Sequence, residues 1–460
     1  MTNPDTFWSE RPILTHIYQY AQARRVSPWA TFGGVLTRVI AATEPRIQLP
    51  AIVGGPGSLN LFVGIVGRSG QGKGASQAAA ASCITISGGA IFDTITVGSG
   101  EGLAASYVQR VKDDDGNLTV EQHSESALFD VAEVDTLSAL AGRQGSTLLS
   151  ELRKVWSGER LGFQNRDQAR SLPVESHTYR AALVVGVQPT RSGALLDDAD
   201  GGTPQRFIWL PATDDHAPDR APLAPPPLMW HAPGESIIPT IDGRRTITVC
   251  DSAWNIIDRA RVARLRGDGD ALDGHALFSR LKLAAALAIL DGRGDVTDDD
   301  WRMGGAVMDV SDRTRAWCRE AIRQQSIDTN RARAEARAES NVTAADHAEI
   351  VAINRAKDRI VSKLGTDWVG GASLRKSLTQ SLRAHFEAAL DELAEEQVIE
   401  ISRDQSGTRA RLTGSRVANS SPPLITPDNP RDSAARKGDT QGVASPSPRH
   451  TLVTPEEVPA

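Results

Sequence analysis

Three cysteines in 460 residues are too few, and too scattered, to staple a fold. Cys83, Cys250 and Cys318 fit neither a disulfide framework nor a zinc-ligand spacing, so reduced thiols and a cytoplasmic location are expected. Aromatic residues make up only 5% of the chain, yet hydrophobic residues reach 40%, enough for a sizeable core. No apolar run attains the ~20 residues of a membrane-spanning helix. The start, MTNPDTFWSERP, lacks the basic and apolar regions of a signal peptide, so no membrane association is expected. A basic excess is missing too. The net charge is −6, and any contact with DNA must come from local patches.

What is present is an ordered succession of patterns. Residues 1–57 carry two amphipathic helical segments, LTHIYQYAQARR and ATFGGVLTRVIAA, and end in the breaker IQLPAIVGGPG. From 58 to 213, the apolar runs LFVGIV, DTITVG, SALFDVAEV, AALVVGVQ and RFIWLPA alternate with helical stretches. That alternation predicts an α/β fold around a parallel sheet. Residues 214–250 form a proline-rich excursion, and 251–325 read as a helical lid containing the apolar SRLKLAAALAILDG. Within 326–414, a charged connector precedes three helices and two strands, the order of a winged helix. Residues 415–460, rich in Ser, Pro, Thr and Asp, are expected to be disordered.

One stretch carries specific chemistry. Gly67-Arg68-Ser69-Gly70-Gln71-Gly72-Lys73 is the G-x-x-x-x-G-K of a phosphate-binding P-loop. LFVGIV before it reads as a buried strand, and Gly74-Ala75-Ser76 opens an alanine-rich helix. Strand, glycine loop and helix let backbone amides and a helix N-terminus face an anion, with Lys73 reaching the outer phosphates. The residue after the lysine is usually Ser or Thr, whose hydroxyl ligates Mg²⁺; here it is Gly74. Two readings remain open: a glycine-rich turn formed by chance, or a nucleotide site that places its metal differently.

Nucleotide hydrolysis also needs carboxylates and a cation. Glu101 lies between glycines in GSGEG, at the carboxyl end of the second strand, and is the candidate base. ALFDVAEVD has the shape of a Walker B strand, whose terminal acids hold the metal. Read as a strand through Asp135, it places Glu133 and Asp135 on one face and Asp130 on the other. Gln188 ends the fourth strand as a candidate γ-phosphate sensor. Arg206 precedes the fifth as a candidate arginine finger, and Arg280 and Lys282 are weaker second sensors.

Together GRSGQGKGAS, GSGEGL, FDVAEVDTL, VVGVQP with GGTPQRF, and SRLKLAAAL resemble the RecA-type ATPase domain of helicase-like replication proteins. Such proteins are encoded by phages, plasmids and integrative elements of actinobacteria. The resemblance covers roughly residues 10–325. It implies a RecA-like core in which Gly67 to Gly74 bind ATP with Mg²⁺ and Glu101 activates water. It also implies a homo-oligomeric ring acting on DNA, with replication proteins as possible partners, and tolerance of glycine after Lys73.

Two segments are candidates for the DNA contact. Arg153, Lys154, Arg160, Arg166 and Arg170, interleaved with Trp156 and Phe163, could line a channel with cations on phosphates and aromatics on bases. In the winged-helix region, Lys376, Arg383 and His385, with Arg403, Arg409 and Arg411 on the strands, occupy the positions that meet duplex DNA. Glu387, Asp391, Glu392, Glu395 and Glu396 on the third helix favour protein docking instead. Other readings are a DNA-binding ATPase switch or loader without unwinding, and a nucleotide-binding regulator.

Overall fold

The computed structural model describes residues 4–144, 146–162, 172–198, 201–233, 240–241, 244–268, 273–405 and 407–414. The expected disorder of 415–460 lies outside them. The chain divides into two compact units, one ending at Ala336 and the other beginning at Arg337.

The first unit is built on five parallel strands: β1 (Leu61–Val66), β2 (Asp93–Ile95), β3 (Ser126–Val131), β4 (Arg180–Val187) and β5 (Phe207–Pro211). Their order across the sheet is β2-β3-β4-β1-β5. Val66 pairs in register with Val187 of β4 and Pro211 of β5, and Val131 with Val185. Every residue of β1 and β4 is buried. This is why both read as unbroken apolar runs, since a central parallel strand has no solvent face to mark with polar residues.

The amino-terminal helices α1 (Pro12–Ala23) and α2 (Pro28–Ala41) cover this sheet. Ser27 caps α2 by accepting from the Ala30 amide, and Pro28 occupies its first position. Val35, Leu36, Val39 and Ile40 then share one core with Val63 and Ile65. A methyl group at Gly33 would meet Val63 and Leu210 at 2.8 Å, and one at Gly34 would meet Ala80 at 2.6 Å. The glycine pair thus lets α2 lie against both the sheet and α3 (Lys73–Cys83). Arg180, wholly buried at the amino end of β4, donates to the carbonyls of Thr43, Glu44 and Ile47. Burial pushes its guanidinium down to about 9.

Over a second core lie α4 (Gly100–Ala105), α5 (Val134–Ala141) and α6 (Leu148–Ser157). An antiparallel hairpin, Val108–Lys112 with Leu118–Gln122, separates α4 from β3, and Ile84–Ser87 pairs in parallel with Leu228–His231. Neither pairing is expected from the apolar pattern. After α7 (Asp251–Leu265), helix α8 (Asp273–Leu290) does not form a lid. Leu281, Leu283 through Leu287, Ile289 and Leu290 are buried in the core that holds Val35 and Ile65.

Thr297 and Asp300 form reciprocal backbone–side-chain bonds that open α9 (Asp298–Val361). The helix runs 64 residues. The separate lid helix, connector and next helix expected here are one element, because no glycine or proline falls between Ala306 and Val361 to stop it.

The second unit buries Ala356 and Ile360 with Leu374, Phe386, Leu390, Leu393, Ile399 and Ala410. It adds α10 (Gly371–Ser377) and α11 (Phe386–Glu395). Its three strands are β6 (Val369–Gly370), β7 (Ile399–Asp404) and β8 (Gly407–Leu412), antiparallel in the order β6-β8-β7.

Candidate functional site

The chain leaves β1 toward β2 on one side of the sheet and leaves the adjacent β4 toward β5 on the other. At the carboxyl ends of two such strands the outgoing connections diverge, and an open α/β sheet has its crevice there. Gly67 to Gly72 fill this position. The Gly67 amide donates to the Val187 carbonyl at 2.9 Å, fixing the loop to the sheet. Gly70 (φ 80°) and Gly72 (φ 77°) lie in the left-handed region, which only glycine enters without strain. Arg68 and Ser69 are exposed, and the Arg68 amide donates to Gln71 Oε1 at 2.6 Å.

Lys73 is the first residue of α3 and is 9% exposed. Its Nζ donates to the Gly67 carbonyl at 3.2 Å and the Arg68 carbonyl at 3.4 Å, and lies 3.5 Å from Glu133 Oε1. The first turn of α3 holds no acidic residue, so its N-terminal dipole is uncompensated. Gly74 and Ala75 are exposed beside it. Ser76 is buried and its Oγ donates to the Gly72 carbonyl at 3.0 Å. A Cβ at Gly74 would meet nothing within 4 Å. Gly74→Ser is therefore expected to fold with its unfolding midpoint within about 2 °C of the parent, as for most exposed sites. It is also expected to keep nucleotide binding and to depend more steeply on Mg²⁺. Loss of binding in a Mg²⁺ titration would mean that a ligand approaches the backbone closely at Gly74.

A cavity of about 510 Å³ opens beside the loop, lined by Arg38, Lys73, Gln77, Asp130, Glu133 and Gly186 among others. A Cβ at Gly186 would sit 2.0 Å from the Ala132 carbonyl oxygen, so the absence of a side chain lets the end of β3 close on β4. That approach brings Glu133 to Lys73. Gln188 Nε2 donates to Glu133 Oε2 at 3.2 Å.

The expected common face of Glu133 and Asp135 does not form. β3 ends at Val131, Glu133 is the N-cap of α5, and Asp135 lies in the first turn of that helix, paired with Arg191 at 2.7 Å. Strand parity no longer applies past Val131, and for the same reason Asp130 is not on an opposite face. It lines the cavity with Glu133. Burial pushes the Asp130 carboxyl up, and the Arg38 charge pulls it partly back.

Glu101 stands in the first turn of α4, where the Ser99 hydroxyl accepts from the Gly102 amide at 3.0 Å. The residue is exposed, its carboxylate has no bonded partner among the described residues, and it does not line the cavity. Arg206 lies at the other end of the sheet. It precedes the five residues of β5, about 16 Å at the usual rise per strand residue, donates to the Gly201 carbonyl and lies over the Trp156 ring. Burial pushes it down to about 10. Lys282 donates to the carbonyls of Asn60 and Trp156, also at the amino end, and burial holds its ammonium well below the ordinary lysine range. Arg280 is bonded to the Trp301 carbonyl. None of the three reaches the loop within the chain.

Of the basic segment 151–175, the described residues are engaged within the chain. Trp156, 2% exposed, packs on Phe278 and His275 with the Lys282 ammonium 3.7 Å from its ring centre, leaving no face for a base. Arg153 pairs with Asp198 at 2.6 Å, Lys154 with Glu151 at 2.7 Å and Arg160 with Glu175 at 3.3 Å. Phe163, Arg166 and Arg170 lie outside the described residues.

In the second unit, Arg403 pairs with Asp391, and Arg411 with Glu400 at 2.6 Å while stacking over Trp368. Arg409 lies 3.8 Å from Asp404. Among the described residues the Arg383 side chain bonds the Leu378 carbonyl alone, and Lys376 is exposed. Comparison with family models and with curated proteins finds no match.

As for a metal, no cluster of three or more His, Cys, Asp or Glu forms a cage among the described residues. Mg²⁺ bound to nucleotide ordinarily takes one or two carboxylates, the phosphates and water. The two carboxylates in the cavity, Asp130 and Glu133, fit that donor set. A smaller cavity of about 210 Å³ shares Gly70 and Gly72 from the other side of the loop, lined by Gln22, Arg25 and Asp214. No helix of the described residues is long and apolar enough to cross a membrane.

Proposed function

We propose that the first unit is a RecA-like P-loop ATPase and that the chain is an ATP-dependent, helicase-like motor acting on DNA during replication of a mobile genetic element. The supporting observation is Lys73, held at the N-terminus of α3 between the loop carbonyls and Glu133, where the connections of β1 and β4 diverge. On this reading the loop amides and Lys73 take the phosphates, and the base and ribose lie toward Gln22, Arg25 and Asp214. Asp130 and Glu133 would hold Mg²⁺, which would supply charge neutralisation. Gln188 orients Glu133, and Glu101, whose carboxylate is unengaged, takes the proton of the attacking water. A homo-oligomeric ring is part of the proposal. The deciding experiment compares ATP turnover with and without single-stranded DNA, followed by a strand-displacement assay. Turnover without displacement would leave a switch or loader, and binding without turnover a regulator.

We further propose that the second unit is a winged helix that meets DNA through α10 and the following turn. The pairing of Arg403, Arg409 and Arg411 with acids favours this division, because phosphates would have to displace bonded carboxylates there. Lys376→Ala with Arg383→Ala is expected to lower the slope of log affinity against log salt by about two units, one per phosphate contact. Arg409→Ala with Arg411→Ala is expected to change it by less than one. Duplex binding titrated from low to high salt checks both. An unchanged slope in all variants would assign the unit to docking on another protein.

A further inference from the structure

The cavity beside the loop contains a cation that neither the P-loop pattern nor the order of strands points to. Arg38, in the last turn of α2, reaches it from the helix covering the sheet. Its guanidinium has only weak partners: the Gly34 carbonyl of its own helix at 3.3 Å and Gln77 Oε1 at 3.4 Å. Among the described residues it has no ion pair; Asp130 acts on it electrostatically without closing to contact. Gln77, 9% exposed, lines the same cavity, and its Nε2 is buried with no acceptor. A largely buried guanidinium without a carboxylate and a buried amide without an acceptor are both costly alone. Both are donors, and both stand with Lys73 around one space. What satisfies them is an anion rich in acceptor oxygens.

We propose that Arg38 is the arginine of this site, contacting the terminal phosphate of a bound nucleoside triphosphate from within the same chain, with Gln77 Nε2 as a second donor. This rests on the reading of the loop as a phosphate cradle. It assigns to α2 the role that the order of elements suggests for Arg206, which is held at the opposite end of β5. It also ties nucleotide state to the amino-terminal helices, since α2 packs on the sheet through Val35, Val39 and Ile40. A diphosphate, one phosphate shorter, would leave Arg38 on its present weak partners.

The test measures binding by calorimetry on the full chain with Mg²⁺, using ADP and a non-hydrolysable ATP analogue. Arg38→Met is expected to weaken the analogue about ten- to hundredfold, the worth of a charge-assisted hydrogen bond or two, and ADP less than threefold. Gln77→Met is expected to act in the same direction and more weakly. Should Arg38→Met unfold, Arg38→Lys decides: it keeps the charge and loses the planar fork, and a severalfold loss confined to the analogue is expected. Equal losses for both nucleotides, or none, would overturn the assignment and leave Arg38 a packing residue. Lys73→Ala is the control, expected to lose both ligands. If it binds both normally, the cradle itself is wrong and the inference falls with it.

Discussion

Lys73→Ala is expected to lose ATP affinity by a hundredfold or more and to reduce turnover to background while the chain stays folded. The Lys73 ammonium is almost fully withdrawn from water, and its partners are two carbonyls and the half-exposed Glu133. Presented with phosphates, it would exchange those weak acceptors for charged ones, and charge-assisted bonds of this kind contribute about 1.5–3 kcal/mol each. Two such bonds account for a factor of a hundred or more. The fold depends on Lys73 far less. An ion pair with a carboxylate that is 44% exposed stabilises by less than about 1 kcal/mol, so the unfolding midpoint should move by only a few degrees. Calorimetric titration of ATP with a thermal melt of the same sample checks both. Wild-type affinity in the variant would refute the phosphate cradle.

The parts of this site that could be read from sequence are those governed by local rules. LFVGIV and AALVVGV announce central parallel strands because β1 and β4 are buried on both faces. The loop is legible because left-handed backbone at Gly70 and Gly72 demands glycine. What failed was the extrapolation of a local rule past its end. Period two holds only to the end of β3: the chain turns into α5 after Val131, which puts Glu133 in the cavity with Asp130 and sends Asp135 out to Arg191. That Trp156 is roofed by Phe278 and Lys282, from a helix more than a hundred residues away, is a long-range contact that no local pattern in the 151–175 segment shows. Arg38 had no local mark at all. On α2 it is one arginine among apolar residues, and only the packing that Gly33 and Gly34 permit brings it to Gln77 and Asp130.

Glu133, which lines the cavity beside the loop, and Glu101, which does not, are expected to separate cleanly by kinetics. Glu133 is engaged on both oxygens, by Lys73 at 3.5 Å and Gln188 at 3.2 Å, so on the proposed reading its charge would serve the cation and the metal. Glu101 is exposed and, among the described residues, unengaged, on a short helix where a side chain at Gly100 would collide with Thr147. A general base needs a free lone pair and access to water, and Glu101 has both. Glu101→Gln keeps the shape and hydrogen-bonding reach of the side chain while losing the basic oxygen. It should therefore bind ATP as the parent does and hydrolyse it about 10²–10⁴-fold more slowly, the usual contribution of general base catalysis. Glu133→Gln removes the anion facing Lys73 and one of the two carboxylates suited to the metal. Its expected signature is a raised Mg²⁺ requirement, with turnover partly recovered at high Mg²⁺. Saturating Mg²⁺ is the condition that tells them apart, because it can refill a weakened metal site and cannot replace a base. If Glu101→Gln turns over normally while Glu133→Gln stays inactive at every Mg²⁺ concentration, the base is Glu133, and the Lys73 contact seen here is one it must leave for catalysis.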